Sequence, residues 1–212
     1  MNSKSTLLLA AALLSPAIVH ADVILDGSIG SGGLGDSVSA GGGFTYNITP
    51  ELGQQAGSNL FHSFSQFNIG IGEHANFSGP AAVSNLVSRV TGGESSIAGK
   101  ITASISGASL WLVNPAGFLF TNGAVVDVDG TFHLSTGDFV EFSDGARYFS
   151  SLSASSTLST SDITSFGFLA GSQGTIAIDS RRDITGEVYS AGHNLNINAD
   201  FITMRDADLR AQ

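Results

Sequence analysis

After residue 21, no stretch of this chain sustains the i, i+3, i+4, i+7 apolar spacing of an amphipathic helix; short alternation recurs instead. "VVDVDG" puts Val126 and Val128 on one face, with Asp127 and Asp129 on the other. "TFHLS" sets Phe132 and Leu134 against His133 and Ser135, and "TIAIDS" offers Ile176 and Ile178. "NLNINAD" offers Leu195 and Ile197, with Asn194, Asn196 and Asn198 opposite. Runs of this length, separated by Gly, Asn, Asp and Ser, describe an all-β chain. Ile176-x-Ile178 returns as Leu195-x-Ile197 after 19 residues, and "DIT" at 183–185 is echoed by "FIT" at 201–203. That interval matches one turn of three short strands, and a fixed period is the mark of a solenoid. The asparagines of "HNLNIN" suit stacked amide ladders along such a coil.

The first 21 residues belong to a different kind of segment. "MNSKSTLLLAAALLSPAIVHA" begins with the positive Lys4, continues through an apolar core from Leu7 to Leu14, and ends in Val19-His20-Ala21. This is the pattern of a secretory signal, with cleavage expected between Ala21 and Asp22; the alternative is an N-terminal anchor helix. The apolar core falls short of the roughly 20 residues that span a bilayer. The reading implies passage through the Sec machinery and processing by signal peptidase. Losing Lys4 leaves seven basic residues against 18 acidic, a net charge of −11. Such a surface repels phosphate backbones and anionic lipid, so no nucleic-acid partner is expected. The only adjacent basic pair is in "RRD", 181–183. With no cysteine in the chain, burial and backbone hydrogen bonding have to hold the fold without disulfides. "SSLSASSTLSTS", 150–161, reads as a surface loop. "GSIGSGGLGDSVSAGGG" carries one imperfect copy of a calcium-binding β-roll nonapeptide without a tandem partner, and reads as a flexible strand-turn segment. The last alternating unit reaches Gln212 without a polar capping turn, so a longer array is expected.

"SLWLVNPAGFLFTNGA", 109–124, holds two apolar runs broken at Asn114-Pro115-Ala116-Gly117. Asn first, Pro second and Gly fourth fit a type I turn. A type I turn splays a tight hairpin, so a corner between successive solenoid strands is expected. Phe118 and Phe120 would then share a core with Trp111 and Val113 of the preceding strand. Phe61, Phe64 and Phe67 have the period of a helix, but the following "FNIGIG" favours a strand. Asp127 and Asp129, two apart, are either a solvated face or a paired-carboxylate site for cleaving polysaccharide. His62, His74, His133 and His193 show no metal-ligand spacing, and no Gly-x-Ser-x-Gly elbow appears. A Ser–His–Asp triad assembled from distant parts stays open at this level. No cofactor or metal is expected.

"WLVNPAGFLFTNGAVVDVDGTFHLSTGD" resembles the Asn-Pro-x-Gly region of the secretion domain of filamentous haemagglutinin-like exoproteins, the exported members of two-partner secretion systems. "GSNLFHSFSQFNIG" (57–70), "NLVSRVTGGESSIAGKI" (85–101) and the stretch at Gly167 to Leu169 are similar to other blocks of that family, in the same order. The likeness runs from about Asp22 to about Ala170. The family usually has Asn where Ala116 stands, and often a second Asn-Pro-Asn-Leu block, whose place "NLFHSFSQFN" takes here. The resemblance implies a right-handed parallel β-helix with extra-helical strands or hairpins, and no enzymatic activity. It implies recognition by a cognate outer-membrane β-barrel transporter with POTRA-type periplasmic domains. The residues expected to carry recognition or the structural motif are Asn59, Phe61, Phe64, Phe67, Asn68, Asn85, Arg89, Asn114, Pro115 and Gly117. Segment 171–212 would be the first repeats of an adhesin-like passenger, whose longer form would meet host-cell or glycan receptors outside the cell. The competing class is a secreted β-helical protein that binds or cleaves carbohydrate.

Overall fold

The computed structural model describes residues 22–38, 40–41, 44–121, 123–179, 189–191, 194–205 and 209–211. The signal segment 1–21, "RRD", "DIT" and His193 lie outside the described residues. The strands in chain order are β1 (Val23–Asp26), β2 (Leu34–Ser37), β3 (Ala40–Gly41), β4 (Thr45–Ile48), β5 (Gln54–Ala56), β6 (Asn59–Phe67), β7 (His74–Phe77), β8 (Asn85–Val90), β9 (Ser95–Ile97), β10 (Lys100–Ala103) and β11 (Ser109–Val113). There follow β12 (Phe118–Thr121), β13 (Val125–Asp127), β14 (Thr131–Ser135), β15 (Phe139–Phe142), β16 (Arg147–Phe149), β17 (Ile163–Gly167), β18 (Thr175–Asp179), β19 (Tyr189–Ala191), β20 (Asn194–Asn198), β21 (Phe201–Arg205) and β22 (Leu209–Ala211). One 3-10 turn, Pro50–Leu52, interrupts them.

The chain coils into a parallel β-helix with three faces. Sheet A stacks β6, β8, β11, β14 and β20 in parallel; sheet B stacks β4, β7, β10 and β13; sheet C stacks β9, β12, β18 and β21. Each turn runs from sheet A through C to B. Asn59 pairs with Asn85, Asn85 with Ser109, and Leu110 with Phe132, so successive turns on sheet A are offset by 26, 24 and 22 residues. The 19-residue interval is therefore not a turn of the helix. Ile176 lies in sheet C and Leu195 in sheet A, two faces of one turn. Corners of unequal length blur the true period.

The alternating apolar residues fill the interior. Leu60, Phe64, Leu86, Leu110, Leu112, Phe118, Phe120, Phe132, Ile176 and Ile178 belong to one continuous core, with Leu195 and Ile197 packed against it. Burying each such side chain fully contributes about 1.5–3 kcal/mol. Phe64 and Phe67 both face inward although three apart, because β6 bulges: Ile24 pairs with Gln66 but Leu25 with Phe64. The extra residue resets the alternation. Phe61 faces outward, into a second cluster with Val87, Trp111, Val113, Val140, Phe142 and Tyr148. Trp111 and Val113 thus do not share the core of Phe118 and Phe120. Sheet A is apolar on both faces, and alternation alone does not say which face is the interior.

What covers the outer face of sheet A is an insert. Val113 pairs with Ser135 and Phe118 with Ile176, so the corner 114–117 of one turn corresponds to residues 136–175 of the next. The insert forms an antiparallel sheet D, β16-β15-β17, and the serine-rich stretch follows β16. That stretch is not a plain surface loop: Ser150 and Ser159 are buried, and Leu158 packs into the second cluster. Each sheet is closed at the first turn. β5 and β1 pair antiparallel with successive halves of β6, β3 with β4, and Ile69 bridges Ile97 at the edge of sheet C. Covered edges deny a second chain its template.

Leu112→Ala, a fully buried truncation in the main core, is expected to cost about 2–5 kcal/mol. Urea unfolding should show a lower midpoint with an unchanged m-value.

Candidate functional site

The Asn-Pro-Ala-Gly break is the corner between β11 and β12, on different sheets. The Gly117 amide donates to the Asn114 carbonyl at 3.0 Å, closing a four-residue turn, and the Ala116 amide donates to Asn114 Oδ1 at 2.9 Å. Asn114 is fully buried, and its Nδ2 donates to the Gly93 carbonyl and to Ser95 Oγ, both at 3.0 Å. Its own amide donates to the Ser135 carbonyl at 3.0 Å. One side chain therefore shapes its own corner and ties it to the corner of the turn before; its backbone ties it to the turn after. Gly117 sits at φ +107°, where a Cβ would lie 2.6 Å from the Thr175 carbonyl oxygen. Only glycine fits there without a shift. Directly above, a Cβ on Gly174 would meet the Pro115 carbonyl oxygen at 2.7 Å and Thr136 at 2.4 Å. The corner is thus the seat on which both ends of the insert close. Ala116 is exposed and lines an open cavity of about 350 Å3 with Thr91, Pro115, Asp138, Ser150 and Leu152. The position where the family usually carries Asn is not the one that makes the turn.

The remaining sequence-chosen residues divide between the two faces of sheet A. Asn59 Nδ2 donates to the carbonyls of Ser159 and Ser161 at 3.0 and 2.9 Å; Asn85 Nδ2 donates to Asn59 Oδ1 at 2.9 Å; Trp111 Nε1 donates to Asn85 Oδ1 at 3.2 Å. This is an amide ladder, on the outer face and at the start of the coil rather than at "HNLNIN". Phe61 is capped by Tyr148, ring centroids 5.0 Å apart and edge-on, and by Phe142 at 5.8 Å. Asn68 is peripheral: its Oδ1 accepts from the Ser96 amide at 2.9 Å, while its own amide donates to the Asp22 carbonyl.

Arg89 is 3 % exposed and centres a polar knot that sequence reading did not anticipate. Its Nε donates to Ser63 Oγ, Nη2 to Ser28 Oγ at 2.9 Å, and Nη1 to the Phe149 carbonyl and to Ser156 Oγ; its guanidinium lies 4.5 Å over the Tyr148 ring. Asp26 accepts from Ser28, Ser63 and Thr91. Burial alone would raise Asp26, but these hydrogen bonds and the Arg89 charge hold it below the ordinary carboxylate range. The signal available in the sequence was a lone Arg inside the apolar run "NLVSRV", and a lone Asp closing "VILD". Neither names its partner.

The histidines and carboxylates do not converge. His62 is fully buried; its Nε2 donates to the Thr49 carbonyl at 3.2 Å and Nδ1 has no partner. His133 stacks on Trp111 at 3.5 Å. Burial lowers both to about 4, with the Thr49 bond opposing it in His62. Asp127 pairs with Lys100 at 2.9 Å on an exposed surface, and Asp129 accepts from Ser106 Oγ and the Gly107 amide. Asp127 thus forms a surface ion pair and Asp129 a turn cap. Among the described residues no three His, Asp or Glu gather as a metal site.

Asn114→Ala leaves a buried carbonyl and hydroxyl unpaired and is expected to cost about 1–3 kcal/mol, whereas Ala116→Asn should stay within about 0.5 kcal/mol of wild type; urea midpoints compare them. The pH dependence follows from His62 and His133. Their folded values lie below the unfolded 6.5, so between about pH 4 and 6.5 the unfolded chain binds protons that the folded one does not. Stability should rise with pH across that window, His62 alone accounting for on the order of 3 kcal/mol, and Asp26 adds the same sign at lower pH. His62→Leu should flatten the slope of unfolding free energy against pH.

Comparison with known proteins agrees with the geometry. The family model described as "TPS secretion domain" matches residues 30–211. No curated protein matches the chain. A parallel β-helix with a corner insert, matched over nearly all its length, belongs to the TPS secretion domain family, the exported side of two-partner secretion.

Proposed function

We propose that this domain addresses its own chain to a cognate outer-membrane β-barrel. The transporter's POTRA-type periplasmic domains hold the segments around Asn59–Asn68 and Asn85–Arg89 while the chain is extended. The observation that carries the reading is that the chosen residues of these segments, apart from Asn68, are turned inward or covered: Asn59, Phe61, Phe64, Phe67 and Arg89 are buried and Asn85 is engaged by Trp111. A partner reads them by strand addition only before the fold closes. In this scheme the chain leaves the Sec channel after cleavage between Ala21 and Asp22, waits unfolded in the periplasm, and folds outside. Long-range parallel pairing is slow to form, which favours the wait. Folding stability, of order 5–15 kcal/mol, then opposes backward sliding at a membrane without ATP. Residues 22–170 carry the address, and 171–212 begin an adhesin-like passenger that stays at the surface or is released, where it would meet host-cell or glycan receptors. The domain is non-enzymatic in this reading.

Secretion of the chain, with and without a candidate transporter, tests this. Export is expected only with the transporter, and Phe118→Ser with Phe120→Ser should abolish folding and cut export sharply. Undiminished export of that variant, shown unfolded by circular dichroism, would remove folding as the driving step.

A further inference from the structure

The insert is joined to the helix differently from every other part of the fold. β15 pairs only with β16 and β17, so sheet D makes no ladder with sheets A, B or C. No residue of sheet D or of the serine-rich stretch belongs to the main core; their apolar contacts lie in the second cluster, on the outer face of sheet A. Both ends of the insert are pinched over the Asn114 corner, with Thr136 Oγ1 donating to the Gly174 carbonyl at 3.4 Å. Within that base, the Asp138 amide donates to the Gly167 carbonyl at 2.8 Å. The side-chain ties that hold its body down span long separations: 100 and 102 residues for Asn59 to Ser159 and Ser161, and 86 for Tyr148 Oη to the His62 carbonyl. Turn-to-turn pairs on sheet A span 22 to 26. Closing the longer loops costs more chain entropy, and the helix interior is complete without them.

We propose that residues 136–174 are a strap that opens and closes as a unit on a preformed β-helix, and that its closed position and a transporter compete for one surface: the outer face of sheet A around Asn59, Phe61, Asn85 and Arg89. The competing half rests on the function proposed above. The strap supplies what this surface lacks in the bare helix. Phe142 and Tyr148 cover Phe61, Phe166 covers Trp111 at 5.2 Å, and the carbonyls of Phe149, Ser159 and Ser161 satisfy Arg89 and Asn59. The bare face therefore presents an aromatic, two side-chain amides and a guanidinium, to be met by apolar groups and backbone carbonyls. A strand from a periplasmic domain offers the same groups. Closing the strap withdraws the surface from the transporter.

Native-state hydrogen exchange on the full chain, at increasing sub-denaturing urea, tests the strap. Amides of β15 and β17 should exchange through a smaller opening than ladder amides of β8, β11 and β12, with Trp111 fluorescence following the strap amides. Tyr148→Phe should speed strap exchange about three- to tenfold and leave the ladder amides unchanged. Phe142→Ala should do so about a hundredfold or more. One common opening, or equal acceleration of both sets, overturns the strap. Purified periplasmic domains of a candidate transporter test the competition, with the urea-unfolded chain as reference. Tighter binding to Tyr148→Phe and Phe142→Ala than to wild type, in proportion to strap opening, supports it. Equal binding to all three, while exchange shows the strap open, overturns it. Failure to bind even the unfolded chain overturns the proposed function and the competition with it, and leaves the strap to the exchange result.

Discussion

The parallel backbone ladder between successive turns is the constraint everything else obeys. It stacks each residue on its counterpart one turn away, so side chains form columns. Leu60, Leu86, Leu110, Phe132 and Leu195 make one inward column on sheet A. Ile97, Phe120 and Ile178 make another on sheet C. An apolar column is cohesive because every member buries against its neighbours, and a polar member needs a partner of its own in the stack. Asn59 over Asn85 and Asn114 over Ser95 are polar answers to that demand. Both are side-chain amides, which donate and accept at once.

The columns explain why so much of the fold was legible and why some of it was not. Alternation is local, so the inward residues of β12, β13, β14 and β18 could be named from six-residue windows. Which face is inward is not local. Phe61, Val87 and Trp111 form an outward column as apolar as its inward neighbour, because the insert lies on it. Nothing within "SLWLV" distinguishes Leu110 and Leu112 from Trp111 and Val113. The period was illegible for a related reason: residues 136–174 interrupt the coil between β14 and β18, and the last interval visible in sequence crosses faces rather than turns.

The candidate site was legible as residues and not as roles. Resemblance chose Asn114, Gly117, Asn59, Asn85 and Arg89, and the structure brings them together as structural fittings: one corner that seats the insert, and one surface that the insert covers. Their partners come from far away in the chain and from residue types without signature. Asp26, Ser63, Tyr148 and Ser156 look ordinary in sequence. A serine-rich tract that composition assigns to the surface supplies two of the carbonyls that satisfy Asn59.

Closure of the first turn gives the coil a direction. β1 and β5 occupy the free edge of β6, β3 that of β4, and Ile69 guards sheet C, so no turn can be added before them. Once this cap exists, each new strand finds its template only on the side facing the later residues. The buried Arg89 knot joins the cap, through Ser28 and Asp26, to β6, β8 and the insert. A guanidinium enclosed without those acceptors would be strongly unfavourable. The cap, the second turn and the insert are therefore coupled through one charge, which is well solvated while any of them is absent and fully satisfied only when all are in place. That coupling lets a cysteine-free β-helix hold its outer layer without a covalent link.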